Sequence, residues 1–148
     1  MNANTVSVHV KHCFTAPPEQ VFSAWLDPQM IGKWMFGPDL RDEEVVSLSL
    51  DARVGGSFSF VVRRQGENVD HIGKYIEIDQ PGRLVFSWGI AGVSGDESRV
   101  VIDIVPLASG CELSLIHEMH AEWEDYAERV EAGWSLMLDV LGNNLQQH

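Results

Sequence analysis

His117 is the residue whose place in the sequence best suits acid–base chemistry. It alternates with Leu113 and Leu115 in an apolar segment, so a strand would turn its imidazole toward the protein interior. An inward imidazole could act as a general acid or base, with Tyr75 or Glu77 as the second ionisable group. A hydrogen-bonded histidine of the core is the alternative. His117 is therefore the one catalytic candidate in the chain.

Other reactive groups lack the spacing that known sites require. None of the six histidines lies four residues from another, as a helical zinc site needs, and no G-x-S-x-G nucleophile elbow occurs. Gly55-Gly56 lacks the lysine of a phosphate-binding loop. Cys13 and Cys111 stand in separate apolar segments, where we expect buried, unreactive thiols. We expect neither a metal nor an organic cofactor.

Large apolar side chains recur at spacings that could line a cavity for a small hydrophobic molecule. Aromatic residues alternate along two predicted strands, and further ones share a face of the last helix. Gly133 costs that helix about 1 kcal/mol relative to alanine, which suggests a close backbone approach or room for a ligand. Close packing of Gly133 on a strand, and ordinary core packing of the aromatics, are the alternatives. The predicted ligand-binding residues are Trp34, Phe58, Phe60, Tyr75, Phe86, Trp88, His117, Trp134 and Met137.

Within this set the residues have different expected roles. Trp34 would close the entrance from the short helices, and His117 and Tyr75 would orient a polar end of the ligand. The remaining residues would supply apolar area.

The elements that must position these residues follow from hydrophobic periodicity. Residues 4–15 alternate as a strand, and prolines then begin two short helices, the second at Pro28–Trp34. Residues 43–119 read as six strands separated by turns rich in glycine and proline. Residues 121–146 predict one amphipathic helix of about 26 residues, roughly 39 Å long. The order β-α-α-β6-α predicts an α+β fold, with a curved antiparallel sheet wrapped around the C-terminal helix in a single domain, residues 1–148.

Composition excludes several classes of partner. The 148 residues carry 22 acidic against 10 basic side chains, a formal charge of −12, which argues against nucleic acid and against an anionic membrane surface. The N-terminus has no secretory signal pattern, and no apolar run is long enough to span a bilayer. We therefore expect a cytoplasmic protein.

Several stretches, in order along nearly the whole chain, resemble one known family. They are residues 16–25 (APPEQVFSAW), Asp27-Pro28, Trp34, residues 53–56 (RVGG), residues 73–78 (GKYIEI), residues 81–88 (PGRLVFSW), Gly133-Trp134 and Leu141. The chain resembles the START-like (SRPBCC) superfamily, and within it the family named after the activator of the 90-kDa heat-shock protein's ATPase. The resemblance implies a helix-grip fold, which hosts lipid carriers, polyketide cyclases and hormone receptors. It does not by itself imply stimulation of a chaperone ATPase.

Three functions remain as hypotheses. The first is a binding protein that holds a small hydrophobic molecule between the last helix and the sheet. The second is an enzyme of the cyclase or aldol-condensation type that uses His117 in the same cavity. The third is a protein-interaction module with a chaperone as partner. An exposed strand edge would also allow a homodimer.

Overall fold

The computed structural model describes residues 5–37, 40–93 and 97–145. The helices and strands follow the predicted order, with a short 3-10 helix before the last α-helix. They are β1 (Thr5–Phe14), α1 (Pro18–Ala24), α2 (Pro28–Trp34), β2 (Glu44–Leu50), β3 (Ser57–Arg64), β4 (Glu67–Asp79), β5 (Arg83–Ile90), β6 (Ser98–Pro106), β7 (Cys111–His120), the 3-10 helix (Ala121–Tyr126) and α3 (Ala127–Leu145).

The strands form one antiparallel sheet of seven in the order β1-β7-β6-β5-β4-β3-β2. All but one of the connections between neighbours are hairpins, and β1 joins the sheet beside β7, the last strand of the chain. The α3 helix lies on the concave side of this sheet, against β1 and α2. The predicted α+β helix-grip architecture is confirmed.

Alternation along the strands sets which side chains point inward. In β7 every second residue from Cys111 to Met119 is buried, and His117 belongs to this buried series. The hairpin between β3 and β4 turns at Gln65 and Gly66, whose φ angles of 53° and 82° suit the tight turn that the right-handed twist of strands favours. This two-residue turn pairs Phe60 with His71 and so decides which residues of β4 face inward.

The inward residues predicted from alternation are confirmed. Each is buried or partly buried in the core beneath the helices: Phe58, Phe60, Leu84, Phe86, Trp88, Leu113, Leu115, His117 and Met119. Glu77 instead lies on the outer face, where it pairs with Arg83 at 3.2 Å, so it does not accompany His117.

Two sequence expectations need correction. The helix expected over residues 121–146 begins as the 3-10 helix, and α-helical geometry starts only at Ala127; residue 146 lies outside the described residues. Since 3-10 helices have three residues per turn, Trp123 and Tyr126 stack with ring centroids 5.4 Å apart, and Tyr126 stays 45% exposed. Cys13 is exposed, whereas Cys111 is buried as expected. No helix in the described part of the chain is long and apolar enough to cross a membrane.

Candidate ligand-binding site

A cavity of about 710 Å³ lies between the N-terminal half of α3 and the concave face of the sheet. This volume is within the usual range for sites that bind small organic molecules. A smaller cavity of about 170 Å³ adjoins it, and the two share Trp88, His117 and Val130. The larger cavity is lined by Phe36, Arg41, Arg64, His71, Trp88, Ile90, His117, Arg129, Val130, Gly133, Trp134 and Met137.

The predicted ligand-binding residues separate into three groups in the structure. Four of them line the larger cavity, namely Trp88, His117, Trp134 and Met137. Four others, together with Trp25, Met35 and Trp88, surround an aromatic void of only about 10 Å³; these four are Phe58, Phe60, Tyr75 and Phe86.

The ninth predicted residue, Trp34, lines neither space. It is fully buried, its indole Nε1 donates to the carbonyl of Ala24 at 3.0 Å, and its ring packs on Trp25. Trp34 therefore holds α2 against α1, a placement that differs from the expected entrance.

A chain of hydrogen bonds fixes Trp134 in the cavity wall. The Trp134 indole Nε1 donates to His117 Nδ1 at 3.0 Å, so Nδ1 is the acceptor and the neutral imidazole carries its proton on Nε2. That nitrogen lies 2.7 Å from Ser98 Oγ, which in turn donates to the carbonyl of Trp88 at 3.0 Å. The chain ties α3 to three neighbouring strands.

Burial keeps His117 neutral. It lowers the pKa of the imidazole to about 4, because the charged form loses hydration without gaining an anionic partner. Both ring nitrogens are already occupied, so proton transfer to a substrate would first require the bond to Trp134 or to Ser98 to break. The arrangement suits a residue that positions Trp134, and the acid–base role of His117 stays a prediction.

Open space lies over Gly133. A Cβ atom built on Gly133 would meet no heavy atom within 4 Å, apart from the helix's own backbone. Close packing against a strand, the alternative considered from the sequence, is therefore wrong at this position. Of the two explanations favoured by the sequence, the structure retains room beside the helix.

His71 offers a polar group on the opposite wall. Its Nδ1 lies 3.1 Å from the carbonyl oxygen of Phe60, which can only accept, so Nδ1 carries the proton and Nε2 is left as an acceptor. Burial is the main reason that the pKa of His71 falls to about 4, which keeps this tautomer neutral at physiological pH. No residue in the described ranges donates to Nε2 of His71.

Charged residues of the cavity are all arginines. Arg41 Nη1 and Arg64 Nε lie 3.0 Å and 2.6 Å from the two carboxylate oxygens of Glu43, whose side chain is fully inaccessible to solvent. The backbone N–H of Gly37 donates to the same carboxylate at 2.8 Å. Arg129 extends from the first turn of α3 and packs over the ring of Tyr126 at 5.7 Å.

Comparisons with known proteins agree with this architecture. The model of one protein family, the Activator of Hsp90 ATPase homolog 1-like protein family, matches residues 15–146. The chain belongs to this family. No curated protein matches the chain at a significant level.

Solved structures similar to this START-like protein come from several bacteria. Protein CV1439 of Chromobacterium violaceum is 26% identical with a TM-score of 0.81, over 99% of this chain and 100% of that one. CalU16 of Micromonospora echinospora is 27% identical with a TM-score of 0.70, over 95% of this chain and 76% of that one. SA2116 of Staphylococcus aureus, a protein of unknown function, is 16% identical with a TM-score of 0.82, over 98% and 99% of the two chains. These likenesses support the START-like fold.

Sequence reasoning missed several cavity residues of this family member. Arg64 continues the inward series of Phe58, Phe60 and Val62 along β3, so alternation could have identified it. His71 would have followed from a two-residue turn at Gln65-Gly66, which fixes its pairing with Phe60. The missed residues are Phe36, Arg41, Arg64, His71, Ile90 and Arg129. Among the described residues of this START-like domain, no three His, Cys, Asp or Glu side chains are grouped so that they could hold a metal ion.

Proposed function

We propose that this START-like protein binds a small, largely apolar organic molecule in the cavity between α3 and the sheet. The observation that carries the proposal is the combination of a 710 Å³ space with open room over Gly133 in the middle of the only long helix. Aromatic and aliphatic side chains surround this space, as is typical of small-molecule sites.

The cavity wall is preorganised for such a ligand. Trp134 is held by His117, and its ring lies 5.9 Å from that of Trp88 across the cavity surface. A rigid aromatic wall supports binding because fewer side chains must be ordered when the ligand enters. Met137, one turn from Gly133, adds an unbranched side chain that can adapt to the ligand's outline.

A cavity-filling substitution tests the proposal. Gly133→Leu would place a branched side chain in the open space without meeting any atom within 4 Å of its Cβ. The probe is N-phenyl-1-naphthylamine, an uncharged dye that fluoresces when it enters an apolar site. We expect Gly133→Leu to weaken dye binding by about tenfold or more, because the lost volume removes apolar contact area.

The control is Ala132→Leu, which adds the same side chain one residue earlier, at an exposed position of α3. It should bind the dye as the unmodified protein does, and thermal unfolding should show both variants folded. Equal dye affinity in Gly133→Leu, Ala132→Leu and the unmodified protein would overturn this assignment of the binding site.

A further inference from the structure

The charge of the cavity is opposite to the charge of the molecule. The chain has only 10 basic residues against 22 acidic ones, yet three of those 10, Arg41, Arg64 and Arg129, line this cavity. No aspartate or glutamate is among the residues that line it. A local positive potential in an acidic protein attracts anions to this one place.

Two of the arginines retain unused donors. A guanidinium has five N–H groups, and Arg41 uses Nη1 for both Glu43 and the carbonyl of Met35, while Arg64 uses Nε for Glu43. Their remaining nitrogens make no hydrogen bond to the residues that the structure describes. Since both side chains are about one-third exposed or less, at 28% and 34%, these donors lie at the cavity wall in a partly desolvated setting.

The buried carboxylate of Glu43 cancels one of these charges. It sits behind Arg41 and Arg64 and accepts from both, so the pair keeps one net positive charge and is held in place from behind. A buried carboxylate needs such partners, and neutralising Glu43 explains why at least one of these arginines is present.

Arg129 is not explained by the fold. It is exposed on α3, and no carboxylate in the described part of the chain forms an ion pair with it. Its guanidinium stacks on Tyr126, which orders the side chain without using its N–H groups. Arg129 approaches the cavity from the helix, while Arg41 and Arg64 approach from the other wall.

From this geometry we propose, on the basis of the binding function above, that the natural ligand is an organic anion. Its apolar body lies against Trp88, Trp134 and Met137, and its oxyanion, a carboxylate, sulfonate or phosphate, pairs with the cavity arginines. Guanidinium groups recognise such oxyanions through paired, charge-assisted hydrogen bonds.

Two dyes with one aromatic body test the charge requirement. 8-Anilinonaphthalene-1-sulfonate is N-phenyl-1-naphthylamine with an added sulfonate, so a comparison of the two isolates the anion. In Arg129→Gln we expect affinity for the sulfonate dye to fall about tenfold, because charge-assisted hydrogen bonds are lost, while affinity for the neutral dye stays unchanged.

The matched control is Arg63→Gln. Arg63 is exposed on the outer face of β3, 4.0 Å from Glu44, so its loss changes the net charge equally but leaves the cavity intact. Arg63→Gln should leave affinity for both dyes unchanged. Phosphate and naphthalene-1-carboxylate, used as competitors of the sulfonate dye, would distinguish an inorganic anion from an organic one; we expect competition from the carboxylate at far lower concentration.

The two proposals fail in different ways. Equal loss of sulfonate-dye affinity in Arg63→Gln and Arg129→Gln, or no loss in Arg129→Gln, would overturn the organic anion while binding of the neutral dye still supports an apolar site. If the neutral dye does not bind, or binds Gly133→Leu as well as the unmodified protein, the proposed binding function itself is wrong.

Discussion

The C-terminal half of α3 packs directly on β1 with its leucines buried, whereas the N-terminal half borders a cavity of about 710 Å³. The two glycines of the helix register this difference. A Cβ on Gly142 would lie 3.7 Å from the ring of Phe14 and 3.4 Å from His12, while a Cβ on Gly133 would meet nothing within 4 Å. One helix thus serves two purposes, since its packed end stabilises the fold and its other end leaves space that is available to a ligand.

Neighbouring residues on α3 provide the strongest test of this division. Leu138 is completely buried and Met137 lines the cavity. We expect Leu138→Ala to lower the free energy of unfolding by about 3 kcal/mol, through lost transfer energy and a new void, and Met137→Ala by only about 1 kcal/mol, because one side of that methionine already faces open space. Urea denaturation measures both.

Dye binding then separates the two halves by function. At temperatures where each variant is folded, Leu138→Ala should bind the neutral dye unchanged, whereas Met137→Ala should alter its affinity. Comparable destabilisation by the two substitutions would mean that the halves of α3 are packed alike.

The histidines of the cavity should make the stability of this region depend on pH. Burial lowers the pKa of both His71 and His117 to about 4 from an ordinary value of 6.5. As the pH falls below 6.5 the unfolded chain takes up these protons while the folded chain does not, so stability is fully present above pH 6.5 and is lost between pH 6.5 and 4. The loss is at most about 3 kcal/mol per histidine.

His117→Gln should flatten this pH dependence. A glutamine amide can still accept from Trp134 and donate to Ser98, but it does not titrate. The free energy of unfolding, measured by urea at pH values from about 7 to 5, should change less in His117→Gln than in the unmodified protein. His9→Gln, at an exposed position of β1, is the control and should keep the full dependence; identical slopes for all three proteins would refute the buried, neutral state of His117.

The sequence predicted the packed half of the interface far better than the cavity. Alternation placed Leu113, Leu115 and His117 inward, and the 3.6-residue period placed Leu138 and Leu141 on the buried helix face, because burial of apolar side chains is itself the source of those periods. Family resemblance extended this to the complete fold.

Most of the cavity was not predictable in the same way. Arg41 belongs to an irregular segment after α2, where no periodic pattern applies, and Arg129 looks like any solvated charge on a helix. Their placement beside Trp134 results from how distant segments pack. Trp34 shows the opposite error, since an aromatic residue near a supposed entrance is in fact held within the core by Ala24.

The smallest expected effect has the opposite sign from the others. Gly133→Ala should raise the free energy of unfolding by about 1 kcal/mol, because alanine is the better helix former and its Cβ meets no neighbour. Gly142→Ala should gain less, since its Cβ lies 3.4 Å from His12 Nε2 and requires that side chain to shift slightly. Chemical denaturation of the two single variants and the double variant measures the difference. A larger gain at Gly142 than at Gly133 would show that the open space is at the wrong end of the helix. A protein that keeps glycine at the unconstrained position forgoes stability there, which is consistent with a requirement for room beside Trp134 that packing alone does not impose.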